Sequence, residues 1–156
     1  MKKLLLMTLM VVMIMTLIAC GNDTAATGDA TGEAAAPAVQ FITAEEAHEK
    51  LGDDNYQFLD VRQLEDYQAG HIEGSIHADM HKANKEGDIE DGKTQMQNAG
   101  VVELDKDLVL VCYSGKSYAE AATKVLGELG YDASRIYTLE GGMKEWEAKY
   151  PEEKVQ

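Results

Sequence analysis

The chain has 156 residues, enough for one domain of ordinary size, and carries 28 acidic side chains against 14 basic ones for a formal charge of −14. That balance excludes nucleic acid as a partner, since a polyanion would be repelled. With only two cysteines, Cys20 and Cys112, a disulfide-stapled scaffold is excluded as well.

Lys2 and Lys3 precede an apolar run from Leu4 to Ala19. The run is short for a membrane span and has the pattern of a secretory signal segment. It ends in Leu17-Ile18-Ala19-Cys20-Gly21, which resembles the lipobox of bacterial lipoproteins. The resemblance implies that residues 1–19 are a signal peptide removed before Cys20, whose sulfur carries the palmitate-type acyl anchor. Whether cleaved there or retained as a signal anchor, the segment places the domain outside the cytoplasm, tethered to the cell membrane. Cleavage would leave 12 basic against 28 acidic residues, a charge of −16. A lipid, and not a basic patch, must then hold the protein at the membrane. Residues 20–38 form the lipidated N-terminus and a linker rich in Ala, Thr and Gly. Its flexible part has a mean reach of roughly 25 Å.

The folded domain is read as residues 39–152, with 153–156 as a tail. Val39 to Ile42 reads as an edge strand, and Thr43-Ala44-Glu45-Glu46 as a capping box opening a helix to Leu51, with Gly52 just past its end. Gln57 to Val61 is a second strand, followed by a helix of about two turns ending at Gly70. A third strand is placed near Ser75 to Ala78. From Met80 to Lys106 the pattern weakens, and only a short helix around Thr94 to Ala99 is predicted. Val109-Leu110-Val111 is a buried strand, and the helix after it presents Ala122, Val125, Leu126 and Leu129 on one face. Arg135 to Leu139 is the last strand, Gly141-Gly142 a tight turn, and Met143, Trp146 and Tyr150 mark the inner side of a closing helix, with Trp146 as a core plug. Alternating strands and helices predict an α/β fold: a mainly parallel central sheet with helices on both faces.

Cys112 stands where the central strand stops, followed by Tyr113-Ser114-Gly115-Lys116-Ser117. In an open α/β sheet this is where ligands bind, because loop N–H groups and the positive end of a helix dipole face the same point. Gly115 and Lys116 predict an exposed, electropositive turn that favours the thiolate, and Ser117-Tyr118-Ala119-Glu120 has the form of a second capping box. The contrary expectation is a buried structural cysteine. If lipid occupies Cys20, Cys112 is a lone thiol, which outside the cytoplasm fits either a reducing habitat or a sulfur chemistry that uses it. His71, His77 and His81 are too loosely spaced to predict a metal site.

Three stretches together resemble the rhodanese family of sulfurtransferases. They are Leu59-Asp60-Val61-Arg62 with Tyr67-Gln68-Ala69-Gly70-His71-Ile72-Glu73-Gly74-Ser75, the loop at Cys112, and Leu139-Glu140-Gly141-Gly142-Met143-Lys144-Glu145-Trp146. The resemblance implies a single rhodanese-like domain and a ping-pong reaction without metal or organic cofactor. In it Cys112 takes a sulfane sulfur from a small sulfur-containing anion such as thiosulfate, or from a protein persulfide, and passes it to a thiophilic acceptor. It casts Tyr113, Ser114, Gly115, Lys116 and Ser117 as the substrate-binding loop. Asp60 and Arg62 are expected as a supporting ion pair and His71 as a turn-organising donor. The commoner single-domain loop continues after Cys-x-x-Gly-x with Arg and Ser, where this chain has Ser117 and Tyr118. A lysine offers a point charge where a guanidinium would grip a sulfonate with two bonds, so poor thiosulfate turnover and a persulfide or polysulfide donor are expected. Phosphatases of related fold need an Arg where Tyr118 stands. A docking module, or a sulfur carrier serving a membrane enzyme, is the competing reading.

Overall fold

A computed structural model describes residues 39–156. The signal peptide, Cys20 and the linker inferred above lie outside the described residues. Five strands form one parallel sheet: β1 (Gln40–Ile42), β2 (Tyr56–Asp60), β4 (Ile76–His77), β5 (Asp107–Val111) and β6 (Ile136–Leu139), in the order β1-β6-β5-β2-β4. A short β3 (His71–Ile72) lies outside this sheet and pairs antiparallel with β7 (Lys154–Val155). The residues read as a tail are thus partly strand, and the Glu153 carboxylate lies 2.7 Å from the His48 ring.

The period of two along the central strands divides the core. Leu108 and Leu110 of β5 and Leu59 of β2 face one cluster; Val109 and Val111 of β5 and Phe58 of β2 face the other. The first cluster is covered by α3 (His81–Lys85), α4 (Ile89–Asn98) and α5 (Ser117–Glu128), which brings Ala83, Met96, Ala122, Val125 and Leu126 to it. The second is covered by α1 (Ala44–His48) and α6 (Gly142–Lys149), with Ala47, Met143 and the fully buried Trp146. Helices therefore lie on both faces, and the sheet between them is buried, as the near-continuous apolar run of β5 requires.

Thr43 caps α1 as predicted: its hydroxyl accepts the Glu46 N–H at 3.2 Å and the Glu46 carboxylate accepts the Thr43 N–H at 3.0 Å. The helix stops at His48 and continues only as turns to Gly52, whose φ is +76°. The segment α2 (Leu64–Ala69) follows β2 as expected. The stretch from Met80 to Lys106 holds more than one short helix. Asp88 caps α4 by accepting the Asp91 N–H at 3.0 Å, and Gly92 lets α4 settle on α5, since a Cβ there would lie 2.7 Å from Val125 Cγ2.

Candidate active site

On the sheet, β5 lies on one side of β2 and β4 on the other, so chain order reverses there, and in open α/β sheets ligands bind beyond the carboxyl ends of the strands at such a point. Cys112 follows β5 at that end. Its Sγ accepts the N–H of Gly115 at 3.1 Å, a bond that Gly115 allows by adopting a φ of +70°. Ser114, Lys116 and Ser117 of the loop are exposed, but Cys112 itself is only 2 % exposed, which corrects the expectation of an open thiol. It packs in the cluster that includes Tyr118 and Ala119, with Tyr113 against it. Lys116 has no ion-pair partner among the described residues. The second capping box does not form. Lys116, not Ser117, is the N-cap residue, no side chain caps this end, and the Glu120 N–H bonds the Lys116 carbonyl at 3.0 Å.

The Gly141-Gly142 turn clamps this loop from behind. The N–H of Met143 donates to the Cys112 carbonyl at 2.7 Å and that of Lys144 to the Tyr113 carbonyl at 3.4 Å. Neither could form with a side chain at Gly142, because a Cβ there would lie 2.3 Å from the Cys112 oxygen and 2.8 Å from the Gly115 nitrogen. A Cβ on Gly115 would in turn meet the Leu139 carbonyl at 2.6 Å. Two main chains touch here, and glycine on both sides is the condition for it. The sequence shows the tight turn but not what it presses against.

Asp60 and Arg62 meet as a buried pair at the end of β2. The guanidinium donates Nε to Oδ1 at 3.0 Å and its terminal nitrogen to Oδ2 at 2.7 Å, while the Arg62 N–H also reaches Oδ1 at 3.0 Å. The same terminal nitrogen donates to the Gly70 carbonyl at 2.8 Å. Burial works against the charge on Arg62, but the hydrogen bonds and charge of Asp60 outweigh it and hold the guanidinium above its ordinary value. His71 lies away from Cys112's own bonds: its Nδ1 is 3.0 Å from the Tyr67 carbonyl and its ring stacks on Tyr67 at 3.9 Å. This geometry suits a residue that organises the α2–β3 turn.

Sequence reasoning missed a ring of contacts around the two loop tyrosines. The Tyr113 hydroxyl donates to Asp66 Oδ2 at 2.5 Å and accepts the Gln63 N–H at 3.3 Å. Asp79 accepts the N–H groups of Leu64 at 3.2 Å and His81 at 2.8 Å. His81 Nδ1 lies 2.8 Å from the Tyr118 hydroxyl, and Tyr118 meets Tyr113 edge to face at 5.0 Å, which closes the ring. Burial, followed by the hydrogen bond to Asp66, pushes the Tyr113 hydroxyl up from its usual range. These partners come from segments 50 and 37 residues apart, and no local pattern announces them. Two clefts of about 300 and 340 Å³ lie elsewhere, beside Glu45 and Lys149 and beside Phe41 and Tyr137, and Cys112 lines neither.

A parallel α/β sheet with a lone cysteine in an amide loop at its carboxyl edge defines the class of the rhodanese fold, and the comparisons agree. The model of the rhodanese-like domain matches residues 43–149, and the chain belongs to that family as an enzyme of the rhodanese sulfurtransferase type. It is 38 % identical over 98 residues to the thiosulfate sulfurtransferase GlpE of Pseudomonas savastanoi pv. phaseolicola, covering 63 % of this chain and 78 % of that one. The protein of the same name from Pseudomonas paraeruginosa is 33 % identical over 112 residues, covering 72 % and 87 %. Among solved structures, a rhodanese-related protein from Thermoplasma volcanium superposes with a TM-score of 0.52 at 27 % identity, covering 74 % of this chain and 97 % of that one.

Proposed function

We propose that this protein is a membrane-tethered, extracytoplasmic sulfurtransferase. It moves a sulfane sulfur from thiosulfate, or from a persulfide or polysulfide donor, to a thiophilic acceptor through a persulfide on Cys112. The observation that carries the reading is the Cys112 Sγ held 3.1 Å from the Gly115 N–H, in a loop that α6 fixes from behind. The Gly115 N–H is placed to donate to the sulfur, and the thiolate is the form that attacks a sulfane sulfur. In the first half-reaction the thiolate bonds to the outer sulfur of thiosulfate, the S–S bond breaks, and sulfite leaves with the electron pair. In the second, an acceptor nucleophile such as cyanide or a thiolate takes the outer sulfur, and the Cys112 thiolate is regenerated. The loop amides hold the negative charge that the persulfide carries between the two. No proton is removed by a base in either step, which leaves His71 with a structural task. The names of the GlpE relatives support thiosulfate as one donor. Tethering rests on the lipobox resemblance around Cys20 and on the charge of the chain.

The competing reading, a docking module or a sulfur carrier for a membrane enzyme, draws on the small exposure of Cys112. Thiocyanate production from thiosulfate and cyanide decides between them: steady turnover lost in Cys112→Ser supports the enzyme, and no turnover above the Cys112→Ser background rejects it. Labelling of cells with palmitate tests the anchor, which requires incorporation that Cys20→Ala abolishes.

A further inference from the structure

The thiol loop is held from two sides, and Tyr113 is where the two holds meet. From α6, the Met143 N–H bonds the Cys112 carbonyl at 2.7 Å and the Lys144 N–H bonds the Tyr113 carbonyl at 3.4 Å. From α2, the hold is on the Tyr113 side chain. Its hydroxyl donates to Asp66 Oδ2 at 2.5 Å and accepts the main-chain N–H and the side-chain amide of Gln63, both at 3.3 Å. The start of a helix leaves N–H groups without partners, and Gln63, the N-cap residue of α2, supplies no capping side chain. Tyr113 takes the Gln63 N–H instead, and Asp79 takes that of Leu64 at 3.2 Å. The arrangement works both ways: α2 gains the partners its first turn lacks, and the residue next to the thiol loses its freedom to turn. Burial and the bond to Asp66 push the Tyr113 hydroxyl up, so it keeps its proton at neutral pH. That one hydrogen is committed to Asp66, which leaves the hydroxyl none to donate to a substrate.

We infer that Asp66 is a positioning residue for sulfur transfer, acting through the Tyr113 hydroxyl to fix the backbone that carries Cys112. This step rests on the sulfurtransferase reading above. In both half-reactions the same Sγ must lie in line with the S–S bond that breaks, and the same loop amides must face the charge. A tether on the adjoining residue therefore serves the loading of Cys112 and its discharge alike. A group that touched the donor would serve the loading step alone.

Single-turnover kinetics on the full chain separate these roles, with loading from thiosulfate or polysulfide and discharge of the loaded protein to cyanide followed as two rates. Asp66→Ala is expected to slow both by about tenfold or more. Tyr113→Phe should do the same and is the second variant should the first fail to fold. The double variant should be no slower than either single one, because the two changes remove the ends of one bond. Asp66→Asn keeps an oxygen that accepts the hydroxyl and should stay within about threefold of the wild type. Tyr131→Phe is the control: it deletes a hydroxyl bonded to the Leu104 and Lys106 carbonyls, and should lower stability while leaving both rates unchanged. Slowing of loading alone, additive losses in the double variant, or wild-type rates in a folded Asp66→Ala protein would overturn the inference and leave the sulfurtransferase reading standing. If wild-type Cys112 takes sulfur from neither donor, that reading falls and the inference with it.

Discussion

Replacing Gly142 by alanine puts the contact between the closing helix and the thiol loop under direct strain. The new Cβ would stand 2.3 Å from the Cys112 carbonyl oxygen, 2.7 Å from the Ser114 nitrogen and 2.8 Å from the Gly115 nitrogen. All three are main-chain atoms, so no side chain can swing aside and the loop or the turn must move. Alanine at a φ of +60° costs about 1–2 kcal/mol by itself. Displacing the turn also gives up the Met143 bond to Cys112, about 1 kcal/mol, and the overpacking adds about 1–3 kcal/mol. The sum is roughly 3–6 kcal/mol, a large part of the total of about 5–15 kcal/mol that holds a domain together. Gly130→Ala is the control, since Gly130 has a φ of +84° but nothing within 4 Å of its missing Cβ. It should lose only the conformational part, about 1–2 kcal/mol. Urea unfolding of both variants, with unchanged m-values, gives the comparison, and sulfur uptake by Cys112 in the folded fraction reports the loop. Gly142→Ala no less stable than Gly130→Ala, with wild-type sulfur uptake, would refute the claim that the two backbones must touch.

Asp60→Asn leaves the Arg62 guanidinium, 5 % exposed, without its counter-charge, and should cost about 3 kcal/mol or more. For a domain of this size that is a fall in Tm on the order of 10 °C by thermal unfolding, and a fall of only a degree or two would contradict the buried pair. Two helical glycines should respond with opposite sign to alanine in chemical denaturation. Gly127, with open space around it, gains up to about 1 kcal/mol from helix propensity, whereas Gly92 forfeits that gain to the clash with Val125 and Ala83. The α1 cap should respond to pH. The Glu46 carboxyl is held below its ordinary range by the Thr43 N–H first and the Thr43 hydroxyl next. A depressed carboxyl stabilises the fold above its unfolded value, near ~4.3, and loses that contribution as the pH falls through its folded value. The destabilisation by Thr43→Ala should therefore be larger at neutral pH than in strong acid; an equal loss at both would show that the carboxylate plays no part.

Elements with a local signature were legible. β5 is an apolar run bounded by charge and by the loop, α1 carries its capping box, and Gly115, Gly141 and Gly142 announce tight backbone. The Asp60–Arg62 pair was legible because its partners are two residues apart at a strand end. Less could be read where polarity hid the period: α4 is built from Glu, Asp, Lys, Thr, Gln and Asn around the buried Gly92 and Met96, and its Asp88 cap went unnoticed. β3 and β7 are two residues each, and such pairing depends on a partner more than 80 residues away in sequence. The burial of Cys112 and the ring through Asp66, Asp79, His81 and Tyr118 are tertiary in the same sense. The Ser117 box failed for a different reason: Lys116 already occupies the cap position, so Ser117 enters the helix one place too late to serve it.

The chemistry turns on whether Cys112 can carry a second sulfur. Intact-mass measurement of the protein after exposure to thiosulfate or polysulfide reads this without assuming any acceptor. One added sulfur, mapped to Cys112, stripped by cyanide and missing from Cys112→Ser, is the result the account predicts. A folded protein that gains no sulfur from either donor would contradict it.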